Sequence, residues 1–154
     1  MESARAATAA DIASIVELAR ALRDELREMR GGALWEVHEA QAEPLDAALQ
    51  ELLDRADALV VVGTIDDAIV GYGVVVIQGL RDGTALGVIR ELFVEPDARA
   101  VGVGETMAER LVTYCRDRQC IGIDAFALPG HREAKNFFER SGFTARELTM
   151  YRRL

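Results

Sequence analysis

Ile89-Arg90-Glu91-Leu92-Phe93-Val94-Glu95-Pro96-Asp97-Ala98-Arg99-Ala100-Val101-Gly102-Val103-Gly104 is the stretch on which the reading of this chain turns. An apolar strand, Ile89 to Val94, stops at Pro96. A short loop follows, and Arg99-x-x-Gly102-x-Gly104 leads directly into an amphipathic segment with Val103, Met107, Leu111 and Cys115 at a spacing of four. Strand, glycine loop and helix start together make an anion cradle. The first amides of a helix have no intrahelical acceptor and lie at the positive end of its dipole. Gly102 and Gly104 let the backbone come close to a ligand where a Cβ would obstruct it. No Lys-Ser/Thr follows the second glycine, which argues against a P-loop, and no third glycine arrives three residues later, which argues against a Rossmann loop.

Outward from this stretch, the 154 residues carry no repeat, low-complexity tract or linker, and half of them are apolar. One domain, residues 1–154, is expected. Ser3 to Ala7 reads as a first strand. Thr8 and Asp11 can cap a helix with Ile12, Ile15, Ala19, Leu22, Leu26 and Met29 on one stripe, ended by Gly31-Gly32. A loop with Trp35 and His38 precedes a second helix, opened by Pro44. Ala58 to Gly63 and Ala68 to Ile77 form a hairpin about Asp66-Asp67, and Asp82-Gly83 turns into the strand ending at Val94. Beyond the glycine-loop helix, Ile121 to Leu128 reads as a strand, Arg132 to Ser141 as a helix and Glu147 to Leu154 as a closing strand. The order β-α-α-β-β-β-α-β-α-β predicts a mixed α/β sheet with helices on both faces.

The formal net charge of −8 argues against nucleic acid as the main partner and suits a cationic one such as an amine. Cys115 and Cys120 form no CxxC pair, and Met1 to Ala10 has no apolar run of the kind a leader needs; free thiols in the cytoplasm are the simplest expectation. No run reaches the roughly 20 apolar residues of a bilayer span. Two histidines without a thiol cluster point to no metal site.

The central stretch resembles the cofactor-binding core of the GCN5-related N-acetyltransferases, in which a strand of the type I-x-x-L-x-V-x-P runs into Arg/Gln-x-x-Gly-x-Gly/Ala. Ala134-Lys135-Asn136-Phe137-Phe138-Glu139-Arg140-Ser141-Gly142-Phe143 resembles the family's second signature, A-x-x-F-Y-E-x-x-G-F, and Arg5 to Asp11 its usual first strand and helix start. The resemblance covers essentially the whole chain. It implies a twisted mixed sheet whose central parallel strands splay apart, with the C-terminal strands abbreviated, because only eleven residues follow Phe143.

The resemblance further implies acetyl-coenzyme A as cofactor. Its pyrophosphate would lie on the cradle formed by Arg99, Ala100, Val101, Gly102, Val103, Gly104 and Glu105. Its pantetheine would run along Leu92, Phe93 and Val94 and against Phe138, with His131 nearby. An N–H near Val94 would polarise the thioester carbonyl. Glu91, a carboxylate in an apolar strand, is the first candidate to orient or deprotonate the amine, and Asp124 the second; a salt bridge is the bland reading of each. Where the family has Tyr in F-Y-E, this chain has Phe138, which donates no proton. Solvent, Tyr151, Tyr114 or Tyr72 would then protonate the leaving thiolate, with Tyr151 the foremost of the side chains, or the domain binds the cofactor with little turnover. The implied reaction is direct acetyl transfer to a primary amine of a small molecule or peptide, without a nucleic-acid or membrane partner. A homodimer is compatible with it. The alternative is an acyl-CoA-binding sensor or degenerate, non-catalytic module.

Overall fold

The structure, a computed structural model, describes residues 1–154. A five-stranded sheet carries the strands in the order β1 (Glu2–Ala6), β2 (Ala58–Ile65), β3 (Ala68–Gly79), β4 (Ala85–Val94) and β5 (Gly122–Asp124). All neighbours are antiparallel except β4 and β5, which are parallel. A parallel pair needs a crossover, and helix α4 (Val103–Asp117) supplies it. Helices α1 (Ile12–Arg27), α2 (Gly32–His38) and α3 (Leu45–Asp54) lie between β1 and β2, and α5 (Arg132–Arg140) follows β5. The mixed α/β class predicted from the element order is the one observed.

The hairpin of β2 and β3 turns on Asp66 and Asp67, both at positive φ (47° and 71°), the backbone twist that a two-residue connection between right-twisted strands requires. Unbroken apolar runs in β2 and β3 reflect cover on both faces of the sheet. Val60, Val62, Tyr72, Val74, Val76 and Phe93 pack with α1, α3 and Trp35 of α2. Val61, Val75 and Ile89 pack with Met107, Leu111 and Cys115 of α4. At the start of the chain, Asp11 joins β1 to the helical layer: its carboxylate accepts two bonds from Arg5 (2.8 and 2.9 Å) and one from the Thr8 N–H (2.8 Å).

One irregularity in β4 shapes everything beyond it. Val74 lies opposite Glu91, but Val75 lies opposite Ile89, so Arg90 is an extra residue, a β-bulge. Ile89 faces α4 and Glu91 faces α1, although both are odd-numbered positions that a regular strand would place on one side. The parallel ladder with β5 covers only Leu86 to Val88. From Ile89 to Val94, β4 has β3 on one edge and no strand on the other. The central strands therefore splay apart.

Three local expectations change. The Trp35–His38 segment is helical (α2), capped by Gly31 at φ +81°, rather than a loop. The strand expected over Ile121 to Leu128 shrinks to Gly122–Asp124, because β4 diverges after the bulge and offers it no further partner. Glu147 to Leu154 forms no closing strand. No strand pairs with it, and Leu148, Met150, Tyr151 and Leu154 are all exposed.

Candidate active site

Pro96 stops β4 and begins a single 3₁₀ turn, Pro96–Ala98. The chain then passes through Ala100 (φ +68°) and Gly102 (φ +98°) before α4 begins. The N–H groups of Ala98 and Arg99 close that turn on Glu95 and Pro96, and the N–H of Thr106 bonds the Gly102 carbonyl at 3.0 Å. Between them, the amides of Ala100, Val101, Gly102, Val103, Gly104 and Glu105 have no acceptor within the protein. Buried or ligand-facing amides need partners. Here they converge at the positive end of a helix, the arrangement that binds phosphate. At Gly104 a Cβ would stand 3.1 Å from the Phe137 ring, so glycine there keeps the cradle open against α5.

A cavity of about 340 Å³ adjoins this run. Leu92, Phe93 and Val94 of β4 form one wall; Arg99, Ala100, Gly104 and Glu105 form the cradle end; Leu22 and Glu25 of α1 close one side. His131 and, from α5, Glu133, Ala134, Asn136, Phe137, Phe138 and Arg140 form the opposite wall. Thus Leu92, Phe93, Val94, Arg99, Ala100, Gly104, Glu105, His131 and Phe138, all expected at the cofactor site, line one space. Val101, Gly102 and Val103 contribute backbone amides only, the Val103 side chain being buried under α4. A wider depression of about 800 Å³ runs along the outer face of α4 past Glu109, Thr113 and Asp117. Neither the free edge of β4 nor the α5 wall reaches it, and the site is assigned to the smaller cavity.

Sequence reasoning missed Leu22 and Glu25, one of the apolar stripe of α1 and its flanking acid, then Ala134, and also Glu133, Asn136, Phe137 and Arg140. The helical spacing of the last four about Phe138 was the available signal. Phe138 packs edge-on to Phe137 and Phe143, with ring centroids 5.4 and 5.3 Å away. Arg99 braces the cradle: Nε donates to the Val94 carbonyl (2.8 Å), Nη1 to Glu133 (2.5 Å) and Nη2 to Glu25 (2.8 Å), and the guanidinium lies 5.3 Å from the Phe93 ring centre. His131 caps α5, its Nε2 3.9 Å from Glu25.

The acid–base candidates are placed otherwise. Glu91 is 2% exposed and does not line the cavity. Its carboxylate accepts from the Tyr72 hydroxyl (2.6 Å) and the Gln41 N–H (3.1 Å), with Arg23 Nη2 3.9 Å away. Burial, reinforced by the adjacent Glu91, holds the Tyr72 phenol well above its ordinary pKa, so it stays a neutral donor to that carboxylate. Arg23 also donates to the Ala19 and Gln41 carbonyls and lies 5.9 Å from the ring centre of Trp35, whose buried indole N–H has no acceptor. Asp124, at the end of β5, is held by a two-pronged pair with Arg146.

Tyr151 lies in the exposed C-terminal segment, 70% accessible and outside the cavity, because the strand expected to carry it does not form. Tyr114 donates to the Ala56 carbonyl on the far side of α4. No tyrosine lines the cavity. No group of three or more His, Cys, Asp or Glu is arranged to hold a metal ion, and no helix is long and apolar enough to cross a membrane.

The profile of the acetyltransferase (GNAT) family matches residues 17–143. Among solved structures, a point mutant of the BH1408 protein from Bacillus halodurans is 20% identical with a TM-score of 0.83 and 98% of each chain covered. Glucosamine-6-phosphate N-acetyltransferase from Arabidopsis thaliana is 20% identical with a TM-score of 0.74, covering 99% of this chain and 98% of that one. An aminoglycoside acetyltransferase from an uncultured soil metagenomic sample, in complex with sisomicin, is 19% identical with a TM-score of 0.73, covering 99% and 95%. No curated protein matches the sequence. These structures share the fold, and the family profile spans most of the chain: it belongs to the acetyltransferase (GNAT) family.

Proposed function

We propose that this chain is an acetyl-CoA-dependent N-acetyltransferase acting on a primary amine. The observation that carries the reading is the run of unpartnered amides from Ala100 to Glu105, set beside the free edge of β4 and a cavity of about 340 Å³. The residues fit the cofactor. The amides would hold the pyrophosphate, the edge from Ile89 to Val94 would bond the amide-bearing pantetheine arm, and Phe138 would pack against it. Bound there, acetyl-CoA supplies an activated acyl carbonyl.

Backbone N–H on the β4 edge near Val94 would stabilise the oxyanion that forms when an amine attacks. No cysteine or serine lines the cavity, so transfer is direct, without an acetyl-enzyme. No phenol stands ready as an acid, and with a free-thiol pKa of about 8.5 the thiolate leaves with solvent supplying the proton. Glu91, sealed from solvent, acts as a positioning residue: its bond to the Gln41 N–H anchors the α2–α3 connection against β4. Asp124 holds the chain leaving α5 through Arg146. The net charge of −8 favours a cationic acceptor, a small-molecule amine or a peptide amine, in keeping with the amino-sugar and aminoglycoside chemistry for which two structural neighbours are named. Free cysteines suit the cytoplasm.

A second reading, a cofactor-binding module without turnover, rests on Phe138 in the place of a proton-donating tyrosine. Calorimetric titration with acetyl-CoA, run beside thiol release against a panel of amines, separates the two. Binding with turnover supports the transferase, binding without turnover on any amine supports the module, and absence of binding removes both.

A further inference from the structure

Arg99 and Arg140 both face the cavity, and each is already held by a carboxylate across it. Arg99, between β4 and α4, pairs with Glu133 in the first turn of α5 at 2.5 Å. Arg140, in the last turn of α5, pairs with Glu105 in the first turn of α4 at 3.5 Å. The two ion pairs run in opposite senses between α5 and the β4–α4 junction, and all four residues line the cavity. Glu25, from α1, adds a second carboxylate to Arg99 at 2.8 Å.

The electrostatics are internally opposed. Unpartnered amides and a helix N-terminus draw an anion toward the cradle, while Glu25, Glu105 and Glu133 around it repel one. Exposure separates the acids: the side chains of Glu133 and Glu105 are 64% and 50% accessible, that of Glu25 only 25%. Glu133 and Glu105 can swing into water without a desolvation cost, and solvent-exposed pairs of this kind are weak. A pyrophosphate brings two charges and several acceptor oxygens, and unlike either carboxylate it would also satisfy the unpartnered amides of the cradle.

We infer that Glu133 and Glu105 are exchangeable stand-ins for phosphate: they hold Arg99 and Arg140 across the cleft and release them to a polyphosphate ligand. Glu25 stays, keeping Arg99 aimed into the cavity. This inference rests on the coenzyme A reading above. It makes Glu133 a competitor of the ligand rather than a contributor to its site.

The test is calorimetric titration of coenzyme A into the wild-type chain, E133Q and E105Q. A fourth protein, E139Q, makes the same charge change on the same helix; Glu139 pairs only with Lys135, at 2.9 Å, and lies outside the cavity. Removing a competing carboxylate is expected to tighten coenzyme A binding about two- to fivefold in E133Q and in the same direction in E105Q, with E139Q unchanged. Equal thermal melts of the four proteins show that the exposed substitutions leave the fold intact. Coenzyme A binding to E133Q that equals or falls below wild type would make Glu133 a fixed brace; the stand-in role is then overturned while the cofactor reading stands. Equal tightening in E139Q would assign the effect to net charge and also overturn it. Coenzyme A binding to neither wild type nor E133Q would end the cofactor reading and the stand-in role together.

Discussion

Glu91 shows how far a residue read from sequence can be displaced by one structural detail. A carboxylate inside an apolar strand is conspicuous, and its conspicuousness suggests chemistry. The geometry gives it three buried polar neighbours instead, the Tyr72 hydroxyl, the Gln41 N–H and the Arg23 guanidinium. A group so placed is costly to remove, because the buried Tyr72 hydroxyl loses its acceptor and the Arg23 guanidinium its counter-charge. E91A is expected to lower stability by about 3–5 kcal/mol, whereas E91Q, whose amide oxygen can accept from the Gln41 N–H while its NH2 donates to a reversed Tyr72 hydroxyl, loses less. Denaturant melts of the two variants measure the difference. If Glu91 transferred a proton, E91Q would lose activity far beyond what its loss of stability accounts for. The geometry of the glycine cradle was legible residue by residue, because it depends on backbone and on the absence of side chains. Glu25, Glu133 and Arg140 were not, since their importance depends on which helices meet across the cavity.

At the level of elements, the helical stripes of α1, α3 and α4 and the β2–β3 hairpin could be read directly, each from a run long enough for its period to show. The bulge at Arg90 could not, because it leaves no compositional trace and inverts only the parity of what lies on either side. The same bulge explains why β5 is three residues long where eight were expected. Helix α2 was read as a loop because it is short and begins at Gly31-Gly32, a pair that also serves as a helix stop. The junction of β1 with α1 carries a pH dependence. Arg5, bonded to the Asp11 carboxylate, holds its pKa down from 3.8 to about 2. A depressed folded-state pKa stabilises the fold above the unfolded value, and that contribution is lost as pH falls from about 4 to about 2. The shift corresponds to about 2 kcal/mol. The stability advantage of wild type over D11N should therefore be full near pH 5 and largely gone near pH 2, as followed by urea denaturation at each pH.

For the molecule as a whole, the sheet and its two helical layers close around cores that leave the C-terminal segment outside. Leu148 and Met150 alternate with Glu147 and Thr149 as in a strand, yet neither they nor Tyr151 and Leu154 are covered. Alternation describes what a segment could pair with, and pairing needs a free edge of matching length, which the three residues of β5 do not offer. Truncation after Arg146 keeps the pair with Asp124 and is expected to leave the thermal midpoint unchanged while reducing self-association, read by light scattering. The run Ala100–Glu105 has a consequence of another kind. Amides that make no hydrogen bond exchange their protons for deuterium almost as fast as an unstructured peptide, while the β4 amides bonded to β3 and those of α4 from Thr106 onward wait for the fold to open. A short fast-labelling window is thus enclosed between two slow ones. Any ligand that seats its phosphates there would slow the window selectively, so peptide mass spectrometry could screen cofactors, acyl chains and inhibitors on this protein before a single acceptor amine is known.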